Sequence, residues 1–180
     1  MAIKVRGVQH IGLTVPDMAE AMRFFEGVFG AVTVLSTGRL EVDDEFMTAR
    51  LGVPGGRRIR DIKVLRCGNG TNLELFEYEG EERSPVKRNS EVGGFHIAFE
   101  VDDAEAAAGR LREMGVAVLE GPTLVDSGPF EGLNWVYLHA PWGQFFELVS
   151  MAGPLGYEAQ GGARMWAPES MLSGDSGVRL

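Results

Sequence analysis

The chain contains two copies of one sequence pattern. Residues 8–34, VQHIGLTVPDMAEAMRFFEGVFGAVTV, align with residues 94–120, GFHIAFEVDDAEAAAGRLREMGVAVLE. The alignment places His10 on His96 and, after one gap, Gly30 on Gly115. Self-similarity of this length indicates a duplicated structural unit, so the fold has to consist of two related halves.

Each copy predicts the same order of elements. An alternating strand is followed by an Asp suited to cap a helix, an amphipathic helix and a Gly that stops it. Asn69-Gly70 and Pro141-Trp142-Gly143 then mark equivalent hairpin turns, and we expect Asn69-Gly70 to supply the positive φ angles. Three strand-like segments follow each helix: AVTVLS, DIKVLRC and NLELFEY in the first copy, and AVLEG, NWVYLH and QFFELVS in the second. The sequence therefore predicts an α+β fold of two βαβββ modules.

Module boundaries follow from composition. We place the first module at residues 7–80, with a Gly- and Arg-rich loop insertion at 38–60, and the second at 93–151. The charged segment between them is typical of a solvated linker. Residues 152–180 are expected to form a C-terminal tail without a strand, in which Trp166 covers an apolar surface of this chain or of a partner.

Net charge and hydropathy indicate which kinds of molecule the chain can bind. A formal net charge of −9 argues against nucleic acid and against anionic membrane surfaces, because both require a basic footprint. No apolar run is long enough to span a bilayer, and the N-terminus lacks a signal-peptide core, so a cytoplasmic location is expected. The single Cys67 has no partner for an internal disulfide. A small-molecule substrate and a second copy of the chain are the expected partners.

Strand alternation separates a polar from an apolar face. His10 shares its face with small residues while Ile11 and Leu13 lie opposite, and the same division surrounds His96. Glu74 and Glu147 occupy equivalent positions on the last strand of each copy. Two imidazoles and two carboxylates on a concave surface offer a divalent metal two nitrogen and two oxygen ligands, with room left for substrate oxygens.

The chain resembles the vicinal oxygen chelate superfamily in three features: the paired βαβββ units, the HI-containing strand that opens each unit, and the ELFEY and FELVS segments that close them. This superfamily includes glyoxalase I, methylmalonyl-CoA epimerase, extradiol dioxygenases and bleomycin resistance proteins. The resemblance covers roughly residues 7–151. It implies two glyoxalase-like half-barrels around a divalent ion (Zn, Ni, Co, Mn or Fe), with ligands His10, Glu74, His96 and Glu147. It also implies a homodimer, and the sequence leaves open whether the site forms within one chain or between two.

The leading functional hypothesis is a metal-dependent isomerase, epimerase or lyase that works through a metal-stabilised enediolate on a small oxygenated metabolite. Glu147 and Glu74 are the candidate acid and base groups. His139 is either a surface turn residue or a further acid–base group at the mouth of the cleft. Arg57 and Arg58, from the basic cluster of the insertion, are candidates to bind a substrate carboxylate or phosphate, and the aromatic candidates for the pocket include Tyr78 and Trp135.

Two other classes of function stay open. The first is an extradiol-type dioxygenase, in which His10, His96 and Glu147 would form a two-His-one-carboxylate iron site with positions for a catechol and O₂. The second is a metal-independent protein that binds a drug or metabolite without turnover. Three measurements distinguish these hypotheses. Bound metal without O₂ uptake favours the isomerase, epimerase or lyase, O₂ consumption with catechols favours the dioxygenase, and tight ligand binding in EDTA favours the binding protein.

Overall fold

The structure is a computed structural model that describes residues 3–80, 84–160 and 163–168. The first module contains β1 (His10–Val15), α1 (Met18–Phe29), β2 (Val32–Ser36), α2 (Asp44–Leu51), β3 (Arg58–Arg66) and β4 (Asn72–Glu79). The second contains β5 (Ile97–Glu100), α3 (Ala104–Glu113), β6 (Ala117–Val118), β7 (Thr123–Leu124), β8 (Leu133–His139) and β9 (Phe145–Met151). The predicted α+β class with repeated modules is confirmed.

Each module builds one mixed sheet. The first sheet has the order β1-β4-β3-β2 and the second β5-β9-β8-β6, with β7 also pairing with β8. In both sheets the opening strand runs parallel to the closing one, β1 beside β4 and β5 beside β9. The second strand of the second module is shorter than the predicted AVLEG, because β6 ends at Val118 and a separate strand, β7, begins at Thr123. Pro122 lies between them and has no N–H to donate to a continuous ladder.

Both long helices begin at the predicted Asp residues. Asp17 Oδ1 accepts a hydrogen bond from the Glu20 N–H at 2.8 Å, and Asp103 Oδ1 accepts one from the Ala106 N–H at 3.0 Å. Helix α1 ends at Gly30, whose φ of 60° is left-handed. The sequence signals for the ends of these helices are therefore correct.

The insertion at 38–60 is more regular than a loop. It contains helix α2, which is capped by Asp43, and it includes the first residues of β3. Only Met47 of this helix is buried. A helix with one buried side chain carries little hydrophobic periodicity, which is why the pattern did not predict it.

One predicted turn differs in detail. In the β3–β4 connection the left-handed glycine is Gly68, with φ 58°, and Gly70 is not among the glycines with positive φ. The β8–β9 turn matches its prediction, since Gly143 has φ 89° and the Ala140 N–H donates to Gln144 O at 2.9 Å. Both hairpins hold the closing strands β4 and β9 in register.

The two modules share one apolar core. Phe24 of α1 packs against Trp142 and Phe146 of the second module, with ring centroids 5.6 and 5.7 Å away. Phe29 stacks on Phe99 at 4.1 Å. The apolar faces of both sheets contribute to this cluster. It follows that the opposite, polar faces of the two sheets are directed away from each other.

The described part of the C-terminal tail adds a short 3₁₀ helix, Gly156–Gln160, and no strand. Leu155 is buried, whereas Trp166 is 72% exposed. Residues 161–162 and 169–180 of the predicted tail, and residues 81–83 between the modules, lie outside the described residues. Among the described residues no helix is long and apolar enough to cross a membrane.

Candidate functional site

The first candidate site lies on the polar face of the first sheet. His10 is on β1 and Glu74 on the neighbouring β4, where the register pairs Glu74 with Gly12. His10 Nε2 and Glu74 Oε2 are 3.3 Å apart. The other ring nitrogen, His10 Nδ1, is 2.5 Å from Gln9 Oε1.

Each ring nitrogen of His10 has its own neighbour. Nε2 faces the Glu74 carboxylate, and Nδ1 faces the side-chain oxygen of Gln9. An imidazole nitrogen beside a carboxylate oxygen is a ligand pair for a divalent ion, and an outer hydrogen bond to Nδ1 is the usual support of a metal-binding histidine. The donor set therefore fits a divalent ion.

The second candidate site is the equivalent pair on the second sheet. His96 Nε2 lies 3.2 Å from Glu147 Oε2, and the Glu147 side chain is 13% exposed. Burial raises the pKa of the Glu147 carboxyl, and the adjacent His96 offsets part of that rise. Tyr137 lies opposite Glu147 in the β8–β9 register and meets the His96 ring edge-on at 5.0 Å.

Within one chain the two pairs do not meet. Among residues 3–80, 84–160 and 163–168, no three His, Cys, Asp or Glu side chains come together in a group that could hold a metal ion. The cause is the packing of the modules: both apolar faces turn inward to the shared core, so each His–Glu pair is directed outward. A single chain thus carries two separate His–Glu pairs, each called a half-site below because it holds half of the four predicted ligands.

Both half-sites lie beside an open sheet edge. β1 and β5 are the terminal strands of their sheets, and each hydrogen-bonds to one neighbouring strand. His10 is the first residue of β1, and His96 directly precedes β5. A groove of about 920 Å³ lies between β5 and the first module, lined among others by Ile11, Phe29, His96 and the exposed Trp166. Trp166 therefore borders a groove without being buried in it.

Arg57 and Tyr78, two of the predicted substrate contacts, lie together. They line a second cavity of about 1040 Å³ with Thr14, Ser84 and the segment 53–56. The Arg57 guanidinium carbon is 5.9 Å from the centroid of the Tyr78 ring. Arg58 has a different place, because its Nη1 donates to Asp44 Oδ1 at 2.5 Å and so joins β3 to helix α2.

Trp135 and His139, also predicted from sequence, lie on the polar face of the second sheet. Trp135 contacts the Tyr137 ring edge-on at 5.4 Å. His139 Nδ1 donates to the carbonyl oxygen of Gly143 at 3.2 Å, and its ring packs on Phe145 at 4.2 Å. His139 is the last residue of β8, so it lies at the turn and on the same face as Tyr137. Its role as an acid–base group stays a prediction.

Gln9 and Tyr137 were missed at the sequence level. Tyr137 alternates with Trp135 and His139 in NWVYLH, so the two-residue period of β8 would have placed it on the polar face. Gln9 gives no such signal, because its contact with His10 depends on the side-chain conformations of two adjacent residues.

Two βαβββ modules that share one core, each with a His–Glu pair on its outward face, define a class of small α+β proteins. The family profile described as glyoxalase/bleomycin resistance protein/dioxygenase superfamily matches residues 9–129. The chain belongs to this superfamily, as the resemblance of its motifs implied.

Known relatives include two epimerases. The chain is 39% identical over 173 residues to a 2-epi-5-epi-valiolone epimerase from Actinomyces sp., covering 95% of this chain and 93% of that protein. It is 26% identical over 136 residues to the mitochondrial methylmalonyl-CoA epimerase of Bos taurus, covering 73% and 66%. A glyoxalase family protein from Bacillus cereus superposes with a TM-score of 0.66 at 16% identity, covering 84% of this chain and 97% of that one, which supports the fold.

Proposed function

We propose that the chain is a metal-dependent epimerase that inverts a stereocentre next to a carbonyl group in a small oxygenated substrate. The observation that carries the proposal is the duplicated His–Glu pair, His10 with Glu74 and His96 with Glu147, at 3.3 and 3.2 Å on equivalent strands. The relatives named as epimerases support the same reaction type.

The complete centre in this proposal forms between two chains. A twofold axis that sets β1 of one chain against β5 of its partner covers both open edges at once and creates two identical centres. Each centre receives His10 and Glu74 from one chain and His96 and Glu147 from the other. Pairing β1 with a second β1 would cover only one type of edge, and would bring together two copies of the same half-site.

His10, Glu74, His96 and Glu147 would hold the ion. Imidazole nitrogens with carboxylate oxygens suit Zn, Ni, Co, Mn or Fe, and the contact between His10 and Gln9 matches the outer support that such ligands need. When bound, a divalent ion supplies Lewis acidity that makes a proton on the carbon next to a carbonyl easier to remove.

The two glutamates perform the proton transfers. Epimerisation removes a proton from one face of a carbon and returns one to the other, so it needs two acid–base groups. Glu74 and Glu147 come from different sheets and are the carboxylates in contact with the histidines.

The names of the two relatives indicate a class of substrate. Valiolone denotes a hydroxylated ketone, and methylmalonyl-CoA is a thioester whose reacting carbon is also next to a carbonyl. The higher identity, 39% over nearly the whole chain, favours a polyhydroxylated ketone of the 2-epi-5-epi-valiolone type. The Arg57–Tyr78 cavity and the aromatic side chains near Glu147 would then border the bound substrate.

Elemental analysis and isotope exchange test this proposal. The purified chain should contain a divalent metal, and in D₂O it should introduce deuterium at the carbon next to the carbonyl of 2-epi-5-epi-valiolone or a related hydroxyketone. Glu74→Gln and Glu147→Gln should each lower the exchange rate by about 10²-fold or more. The control is Glu105→Gln on α3, which should keep full activity. A metal-free wild type, or exchange that survives both substitutions, would count against the proposal.

The aromatic cluster Trp135, Tyr137 and Phe145 beside His96 also suits a planar ring, as a ring-cleaving dioxygenase would need. This second candidate predicts Fe(II) dependence and O₂ consumption with catechols. Exchange without O₂ uptake selects the epimerase.

A further inference from the structure

The histidine of the second half-site is held in place differently from the histidine of the first. We propose that Gln144 is the positioning residue of His96. Its side-chain amide replaces a hydrogen bond that the sheet does not make at this point, and it thereby sets the distance between His96 and Glu147. This inference rests on the proposed function, because it gives the pair a role in metal binding. It adds that a residue outside the four predicted ligands controls metal affinity.

His96 lies outside the strand ladder. The register of β5 with β9 begins at Ile97, which pairs with Phe146, one residue after His96. Glu147, by contrast, is paired with a residue on each of its two neighbouring strands. The end of an edge strand opens more readily than a strand in the middle of a sheet. The carboxylate therefore has a fixed place in the sheet, whereas the imidazole requires another support.

Gln144 supplies this support. Its Nε2 donates at 3.0 Å to the carbonyl oxygen of Phe95, the residue before His96, and at 3.4 Å to Phe145 O. Both oxygens only accept hydrogen bonds, so the orientation of the amide is determined. Gln144 is 9% exposed, so water competes little for these bonds. Because Phe145 and Glu147 belong to the same strand, the amide ties the backbone before His96 to the strand that carries its partner.

The first module shows the hydrogen bond that the second one lacks. His10 lies inside the β1–β4 ladder, in register with Asn72. The carbonyl oxygen before it, Gln9 O, accepts from the Asn72 N–H at 3.3 Å and from Asn72 Nδ2 at 2.9 Å. At Phe95 O, no backbone N–H of the described residues takes the corresponding place. A side-chain amide therefore does for His96 what the ladder does for His10.

Thr71 provides a matched control for Gln144. It is the repeat equivalent of Gln144 in the first module, three residues before the glutamate of its half-site. Its Oγ1 donates to Val8 O at 2.9 Å, while the carbonyl before His10 keeps its backbone donor. Gln144→Met and Thr71→Val each remove a side-chain donor and nearly keep the shape. Zn(II) affinity, measured by chelator competition on the full chain, should fall by about tenfold or more in Gln144→Met and stay at the wild-type value in Thr71→Val.

A second readout needs no metal. The His96 and Tyr137 rings meet edge-on at 5.0 Å, so their protons should give a nuclear Overhauser effect in the EDTA-treated protein. Gln144→Met should lose this effect, because His96 leaves its place beside the ring, and Thr71→Val should keep it. A lower free energy of unfolding does not remove the signal from a variant that is still folded. The measurement therefore separates positioning from general destabilisation.

Two results would overturn the inference: equal Zn(II) affinity of wild type and Gln144→Met, or a ring signal that persists in Gln144→Met. Thermal unfolding verifies that each variant is folded. If Gln144→Met is not, Gln144→Asn replaces it: its amide is one methylene shorter, so its Zn(II) affinity should lie below that of Thr71→Val, and equal affinity rejects the inference.

Deuterium exchange separates the positioning role from the proposed function. Zn(II) binding that depends on Gln144, without exchange, rejects the epimerase alone. Exchange and Zn(II) binding that are both unchanged in Gln144→Met reject the positioning role alone. A wild type that binds no Zn(II) rejects the metal centre, and the ring signal then still decides whether Gln144 places His96.

Discussion

Complementation between two inactive variants tests whether the proposed metal centre forms between the two chains of a dimer. The first variant, His10→Ala/Glu74→Ala, destroys one half-site, and the second, His96→Ala/Glu147→Ala, destroys the other. If each centre combines half-sites from two chains, either variant alone has no complete centre. A mixed dimer has one centre with both halves damaged and one centre with both halves intact.

The expected recovery follows from counting centres in a twofold dimer. Random reassembly of equal amounts gives mixed dimers in half of all pairs, so about one quarter of the centres are restored. Mixed dimers isolated with two different affinity tags should reach about half of the wild-type value. Bound metal per chain serves as the assay, since it requires no substrate, and deuterium exchange provides a second readout.

A control inverts the expectation. In this control, a chain with all four ligands substituted is mixed in equal amount with wild type. If the centres form between chains, about one quarter of all centres in the mixture should stay intact; if they form within one chain, about half should. Mixed dimers that bind no more metal than their two parents, alongside a metal-loaded wild type, would refute the arrangement.

Three further predictions concern the support of the site and the core. Gln9→Leu removes the hydrogen bond to His10 Nδ1 and should weaken metal affinity by about 10- to 100-fold in a chelator competition assay; unchanged affinity would deny Gln9 its orienting role. Phe146→Ala, at a fully buried ring, should lower the free energy of unfolding by about 3–5 kcal/mol in urea, and Phe130→Ala, at a 53% exposed ring, by less than about 0.5 kcal/mol. Burial raises the pKa of Cys67 from 9.0 to about 11. Its alkylation at pH 8 should therefore be roughly 100-fold slower than that of an exposed cysteine, and the rate should increase up to pH 11. Rapid labelling at pH 8 would contradict this prediction.

The repeated order of elements could be predicted because its signals are local. Asp17, Gly30 and Asp103 mark helix ends through contacts a few residues away, and strand alternation assigns each His to the polar face. Helix α2 escaped prediction because it buries Met47 alone. Pro122, which lies between β6 and β7, is visible in the sequence, but the two short strands are defined by their pairing with β8.

The membership of each half-site could also be predicted, but their mutual position could not. Alternation assigns Glu74 and Glu147 to the same faces as the histidines, whatever the packing of the modules. That packing depends on which large side chains meet, such as Phe24 with Trp142, and no periodicity within one module encodes it. The different places of Arg57 and Arg58 could have been predicted, because adjacent residues in extended backbone point in opposite directions.

Helix α2 occurs in the first module only. In the proposed centre, ligand groups from two similar strands would surround the substrate with nearly equal environments on both sides, so on their own they would admit it in either of two orientations. Reversed binding would present the wrong carbon to the acid and base groups. An appendage on one side would remove this ambiguity, and a duplicated scaffold would thereby acquire a direction without any change in the proposed ligands.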